Sequence, residues 1–149
     1  MADNYIAEWR ETRWIVGSSI TFSIPAIYAY SRHFYVNSAL LVVTSIISAN
    51  FWRKATYSWR RDLDLVYAKF VFTVFISQGV YYVRYTPYII VSYPLMITLA
   101  YCYYLSERYH TAKHPVWYRY HVAFHLCMTL ELFMILDSIP ATTFPALQT

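Results

Sequence analysis

The chain has 149 residues, of which 58% are hydrophobic, 21% aromatic and only 13% charged, with a net charge of +4. A water-soluble domain of this size needs more charge on its surface, so the composition excludes an ordinary soluble globular protein. The chain also lacks a soluble basic domain, so we expect no nucleic-acid partner and a lipid bilayer as the main one.

Five apolar runs follow one another along the chain, separated by short charged segments. They are Trp14–Ser31, Phe34–Trp52, Leu63–Val83, Tyr85–Ser106 and Trp117–Ile139. A helix of about 18 residues or more can cross a hydrocarbon core of about 30 Å. The sequence therefore predicts an all-α integral membrane bundle of five transmembrane helices, forming a single domain over residues 1–149 with a short tail at 140–149.

Lysine and arginine are distributed unevenly between the two predicted faces of the membrane. The N-terminus and the loops at 53–62 and 107–116 carry eight of them, whereas the 32–33 and 84 turns carry two. Cytoplasmic loops are enriched in these residues. This asymmetry predicts the N-terminus inside and the C-terminus outside.

Polar residues inside the first and third spans have several interpretations. Small residues of the first span are typical of a helix-packing face, and Pro25 is expected to kink this span as Pro94 kinks the fourth. In the third span, Lys69, Thr73 and Ser77 recur every four residues and predict one polar stripe that faces protein. Alternatively, the Lys69 side chain snorkels toward the inner face.

Two histidines four residues apart mark the fifth span. His121 and His125 project from one helix face, where two imidazoles can bind one zinc ion or make hydrogen bonds between helices. Candidates for a third zinc ligand are Asp64, Asn50 and His114. Glu131 lies deeper in this span, where an ionisable group costs about 2.5–3.5 kcal/mol, so we expect Glu131 to be protonated or paired.

The predicted topology brings these groups to a common level near the inner face. The second span ends there, and the third and fifth spans begin there, so Ser45, Ser48 and Asn50 share a level with Asp64 and the two histidines. A polar cluster that opens inward is therefore geometrically feasible.

Three segments together resemble a family of membrane hydrolases, the CREST superfamily, which contains the alkaline ceramidases and adiponectin-receptor-like proteins. The segments are TSIISANFW (44–52), DLDLVYAKF (62–70) and HPVWYRYHVAFHL (114–126). The resemblance implies that His121 and His125 bind zinc, that Asp64 is the acid near the zinc-bound water, and that Ser45 or Ser48 is the motif serine.

This chain departs from the family pattern in two respects. The family has seven spans, and it has a third histidine shortly after the motif serine, where residues 49–52 here read ANFW. The sequence therefore predicts a structural or assembly protein of the membrane, in contact with other membrane-protein subunits, as a reduced non-catalytic relative of the family. The alternative is a zinc-dependent hydrolase that acts on a lipid amide or ester from the inner leaflet.

A third class of function comprises haem binding by two histidines and proton transport through Glu131. Haem binding requires histidines from two helices at one depth, and His33 is predicted at the face opposite His121. Transport is disfavoured by five short spans without an internal repeat.

Overall fold

The computed structural model describes residues 5–140, so residues 1–4 and nearly all of the predicted tail at 140–149 lie outside the described part. The described residues form helices and one isolated bridge between Tyr5 and Thr56. The helices are α1 (Trp9–Ile20), α2 (Ser23–Ser31), α3 (Tyr35–Arg53), α4 (Trp59–Tyr82), α5 (Thr86–Thr111) and α6 (Trp117–Ser138).

Four of these helices, α3 to α6, are long and apolar enough to cross a membrane. They coincide with the last four predicted spans, within a few residues at each end. The first predicted span instead forms the two short helices α1 and α2, of 12 and 9 residues. The all-helical, multi-span character of the chain is thus confirmed, whereas five crossings remain a prediction.

The break between α1 and α2 follows from Pro25. A proline has no backbone N–H, and its ring clashes with the carbonyl group four residues earlier, which here belongs to Thr21. That carbonyl accepts instead from the Ile24 amide at 3.0 Å, a tighter turn than an α-helix makes. The other internal proline, Pro94, lies inside α5, which continues through it as one helix.

Hydrogen bonds between side chains give the direction of each helix. Along α1, the break after it and α2, the residues Ser18, Thr21 and Tyr28 pair in turn with His125, Thr129 and Asp137 of α6, so both helices run parallel to α6. Three pairs connect α5 to α6 in the reverse order, Ser106 with His121, Ser92 with Glu131 and Tyr88 with Asp137.

Helix α3 runs opposite to α1 and α2, since Ser19 meets Ser48 and the Ala29 carbonyl accepts from the Phe34 amide. Helix α4 runs opposite to α3, since the Leu40 carbonyl accepts from Tyr67 and Asn37 pairs with Gln78. Consecutive helices, with α1 and α2 counted as one, therefore alternate in direction.

This alternation brings five helix termini to one end of the bundle, which we call the basic end. It comprises residues 8–13, 53–62 and 107–116. A cluster of buried aromatic and aliphatic side chains closes the core there, formed by Ile15, Phe51, Trp52, Ala55 and Trp117. The predicted common level of the second, third and fifth spans thus exists in the fold.

Helix α6 is the centre of the bundle because it packs against α1, α2, α4 and α5. In contrast, α4 and α5 have almost no contact with each other among the described residues, although they are consecutive in the chain. Their outer surfaces expose large apolar side chains, including Val66, Val80, Tyr93 and Ile97. Apolar patches of this kind are rare on soluble monomers and suit contact with lipid.

The predicted polar stripe on α4 is wrong in its orientation. Lys69, Thr73 and Ser77 are all exposed. Thr73 and Ser77 are turned away from protein, whereas Lys69 borders the space between α4 and α5. The Thr73 hydroxyl donates to the Lys69 carbonyl at 2.9 Å, and the Ser77 hydroxyl donates to the Thr73 carbonyl at 2.8 Å. Since both hydroxyls bond to their own helix, they need no protein partner.

Candidate functional site

The two histidines of α6 lie in the interior of the bundle. The chain turns at Lys113, which has a positive φ of 53°, and α6 begins at Trp117. A spacing of four residues places both imidazoles on one face of the helix. His121 and His125 are 9% and 4% exposed, and their ring centroids are 4.8 Å apart.

His125 is oriented by Ser18 of α1. The Ser18 Oγ atom lies 2.9 Å from His125 Nδ1 and 3.0 Å from the Ile15 carbonyl oxygen. A hydroxyl has one proton, and a carbonyl can only accept. When Ser18 donates to Ile15, His125 Nδ1–H donates to Ser18, which leaves the Nε2 lone pair of His125 available as an acceptor.

His121 is held from two other helices. Its Nδ1 atom lies 3.2 Å from the Ser106 Oγ atom of α5. Its ring meets the Trp52 indole of α3 edge to face, with centroids 4.7 Å apart. Both histidines thus use Nδ1 for a serine, and Nε2 is the nitrogen left for any occupant of the space beside them.

That space is a cavity of about 420 Å³ between α3, α4, α5 and α6. Its volume falls within the range of about 300–1,000 Å³ typical of small-molecule sites. The lining residues are Phe22, Leu41, Thr44, Ser48, Asp64, Leu65, Ala68, Lys69, Val71, Phe72, Leu99, Ala100, Tyr103, His121, Phe124, His125, Met128 and Leu132.

The cavity is polar toward the basic end and mostly apolar beyond it. Ser48, Asp64 and the two histidines lie at the level where α3 ends and α4 and α6 begin. Farther along the bundle most of the lining is aliphatic, aromatic or methionine, and Thr44 and Lys69 are its polar members. The exposed residues Ala68 and Ala100 also line it, so the cavity opens between α4 and α5.

The structure separates the predicted site residues of α3. Ser48 lines the cavity, where its Oγ atom is 3.0 Å from that of Ser19. Ser45 is buried against α1 and donates to the Ser19 carbonyl at 3.0 Å. Asn50 is half-buried and does not line the cavity. Of the two serines considered for the motif position, Ser48 is therefore the one beside the histidines.

The charged residues of the spans differ in their surroundings. Asp64 is half-buried and lines the cavity, as does the exposed Lys69. Glu131 lies outside the cavity and is 1% exposed. Its Oε2 atom accepts from the Ser92 hydroxyl at 2.7 Å, whereas Oε1 has no hydrogen-bond partner among the described residues. Glu131 is thus paired through one oxygen only.

The donor set near the histidines does not fit a catalytic zinc ion, which requires three protein ligands. Within residues 5–140, no three His, Cys, Asp or Glu side chains come together as a metal site. Of the proposed third ligands, Asp64 lines the cavity but does not come together with the two histidines as a metal site among the described residues. His114 is exposed at the α5–α6 turn, and Asn50 lies away from the cavity. The Trp52 ring packs against His121 instead.

Sequence reasoning missed the serine partners of both histidines. Ser18 was interpreted as part of a packing face, and Ser106 only as the end of a span. A partial signal was depth, because counting from Trp14 and Trp117 at the same ends of two parallel spans places Ser18 level with His121, one helical turn from its actual partner His125. Depth does not reveal which neighbour a side chain faces.

No family model, no curated protein and no solved structure matches this chain.

Proposed function

We propose that this chain is a non-catalytic multi-pass membrane protein that holds a single-chain lipid amphiphile in the cavity between α3, α4, α5 and α6. The observation that carries the proposal is the polarity of the cavity wall. Ser48, Asp64 and the two histidines line the end that would hold a polar head, and the mostly apolar remainder accommodates an alkyl chain. Ligand sites combine a largely apolar wall with a few convergent polar groups in this way.

The gap between α4 and α5 supports entry of such a ligand from the bilayer. These helices scarcely touch, and alanines at positions 68 and 100 line the opening. A lipid reaches the cavity by moving sideways from the membrane, so its alkyl chain remains in apolar surroundings throughout. The CREST resemblance supports a lipid ligand, and the missing third histidine supports a binding role without catalysis.

The experiment is photolabelling of the protein in lipid nanodiscs. The probe is an 18-carbon N-acyl amide that carries a diazirine on its chain, and the crosslinked peptides are identified by mass spectrometry. We expect crosslinks on α4, α5 and α6, and at least about fivefold less labelling in Ala100→Trp, because the indole obstructs the opening.

Ile97→Trp is the matched control, since Ile97 lies on the same helix with 71% of its surface exposed and does not line the cavity. This variant should label as the wild type does. Equal labelling of the two tryptophan variants, both folded by thermal unfolding, would refute a ligand in this cavity.

The second candidate function is zinc-dependent hydrolysis of a lipid amide or ester. The anchoring of both Nδ1 atoms by serines favours it, because metal-binding histidines commonly donate the other ring N–H to a fixed acceptor. Asp64 is the acidic side chain in the wall of the same cavity. This function requires a third protein ligand for zinc in addition to His121 and His125.

Metal analysis of detergent-purified protein distinguishes the two candidates. Hydrolysis predicts one zinc per chain, lost in His121→Ala and His125→Ala and retained in His114→Ala, whose histidine lies on the exposed turn. The non-catalytic proposal predicts no stoichiometric zinc in any of the four proteins. Co-purification of other membrane subunits would further support the predicted assembly role.

A further inference from the structure

A second, larger cavity lies at the basic end, outside the helix bundle core. It is a groove of about 830 Å³ lined by Tyr5, Ala7, Glu8, Trp9, Thr12, Arg53, Lys54, Ala55 and Arg60. Its walls are the first turn of α1 and the α3–α4 connection. The Ile6 amide donates to the Ala55 carbonyl at 2.9 Å, which ties the two walls together.

Three cations face this groove against one carboxylate. Arg53 and Lys54 end α3, and Arg60 lies in the first turn of α4, so the fold gathers them from two helix termini. None of the three has a carboxylate partner within ion-pair distance among the described residues. The acidic side chain in the lining is Glu8, which is exposed. The groove is therefore positively charged and open to an anion.

Neutral donors in the same wall also lack acceptors. Thr12 is 1% exposed and lines the groove, yet its hydroxyl makes no hydrogen bond to another described residue. The amide of Trp9, which lines the groove in the first turn of α1, has no backbone acceptor among the described residues. Unpaired donors at a helix N-terminus favour a negatively charged ligand.

We propose that this groove binds the phosphate group of a phosphomonoester, and that its source is an anionic lipid headgroup in the adjacent leaflet. Arg53, Lys54 and Arg60 neutralise the phosphate, and the Thr12 hydroxyl donates to one of its oxygens. The exposed rings of Tyr5 and Trp9 lie in the same lining, and aromatic rings of this type favour the headgroup level of a bilayer. Basic clusters beside a membrane span attract anionic lipids.

The test compares lipid binding by native mass spectrometry of the full chain with phosphatidate, phosphatidylglycerol and phosphatidylcholine. We expect phosphatidate to bind most tightly, since its phosphomonoester carries more charge than the phosphodiester of phosphatidylglycerol. The triple variant Arg53→Gln, Lys54→Gln, Arg60→Gln should bind phosphatidate at least about tenfold more weakly. Thr12→Val should weaken it by about threefold with unchanged thermal stability.

The matched control removes three charges at the same end but outside the groove, in Arg10→Gln, Arg13→Gln, Arg108→Gln. These arginines are exposed and do not line the groove. Equal loss of phosphatidate binding in the two triple variants would overturn the proposal, because the attraction would then be general surface charge. Inorganic phosphate that displaces phosphatidate at equal concentration would overturn the lipid source.

Discussion

At the scale of single residues, the polar groups around the two histidines form hydrogen bonds with one another. Ser18 links the α1 backbone to His125, and Ser19 links the same Ile15 carbonyl to Ser48 of α3. Small hydroxyl side chains allow the helix backbones to approach closely, and their hydrogen bonds orient the imidazoles. The histidines are thus fixed in position by residues that resemble ordinary packing residues in the sequence.

Removal of the Ser18 hydroxyl should destabilise the protein. Ser18→Ala leaves His125 Nδ1 without its partner in the interior, and an unsatisfied buried polar group costs about 1–3 kcal/mol. Thermal unfolding in detergent measures the effect. The control is Ser23→Ala, because the exposed Ser23 hydroxyl bonds only to the Ile20 carbonyl of its own chain segment. Similar melting temperatures for the two variants would contradict the role assigned to Ser18.

A single substitution should create the metal site that the donor set lacks. In Trp52→His the new imidazole occupies the position beside His121, where the indole now lies with ring centroids 4.7 Å apart. Three histidine ligands suit zinc. We expect about one zinc per chain in this variant by elemental analysis, against none in the wild type.

Phe51→His is the control for that gain of metal. Phe51 is buried in the same cluster as Trp52, but the structure gives it no ring contact with His121. Zinc binding by both variants would show that the histidine at position 52 has no special relation to His121.

At the scale of helices, the ends opposite the basic end are joined through one carboxylate. Asp137 of α6 accepts from the Tyr28 hydroxyl of α2 and, at 2.5 Å, from the Tyr88 hydroxyl of α5. Arg32 adds an ion pair at 3.4 Å. Because α5 packs chiefly on α6, this junction and the Ser92–Glu131 bond attach α5 to the bundle.

Loss of the Asp137 carboxylate should loosen α5. We expect Asp137→Ala to lower the free energy of unfolding by about 1.5–3 kcal/mol, the range for hydrogen bonds to a charged group. The matched control is Asp62→Ala at the surface, where a pair with Arg61 at 3.9 Å is worth at most about 1 kcal/mol. Denaturation in detergent measures both, and an equal effect would show that the junction does not hold α5.

At the scale of the whole molecule, the arrangement of the helices leaves one side open. Helix α6 connects α5 with the group formed by α1 to α4. The gap between α4 and α5 connects the cavity with the exterior. The basic groove lies at the end of the bundle that carries most of the cationic loops. The protein thus offers two separate binding surfaces, one apolar and lateral, the other cationic and terminal.

The orientation in the membrane can be measured with single cysteines, after replacement of Cys102 and Cys127 by alanine. We expect Ser58→Cys to react with an impermeant maleimide only from the inner side, and Arg84→Cys only from the outer side, because lysine and arginine concentrate in the inner loops. If Ser58→Cys reacted only from the outer side and Arg84→Cys only from the inner side, the charge asymmetry would not set the topology.

The same assay counts the crossings. Glu8→Cys and His33→Cys flank the broken pair α1 and α2, which runs along the full length of α3 in the opposite direction. The five-span prediction expects these two cysteines on opposite sides of the membrane. If both cysteines reacted from the same side, α1 and α2 would not cross the membrane, and the chain would have four crossings.

Much of the fold was predictable because hydropathy and charge act locally along the chain. Four helix positions and the all-α membrane class follow from apolar runs, and the shared level of Ser48, Asp64 and His121 follows from alternating helix directions. The sequence does not distinguish a kink from a break at Thr21, since a proline in a span can kink a helix or end it. The exposure of Thr73 and Ser77 was missed because self-bonded hydroxyls do not need protein partners.

The sequence by itself thus determined the all-α membrane class of this protein and how deep each polar residue lies in the bundle. Tertiary structure alone decided that Ser18 and Ser106 hold the histidines, that Trp52 lies beside His121, and that a gap separates α4 from α5. The physical reason is that spacing along a helix specifies depth and face. The neighbour that each face meets depends on the lateral order of the helices, which arises from packing across the whole bundle.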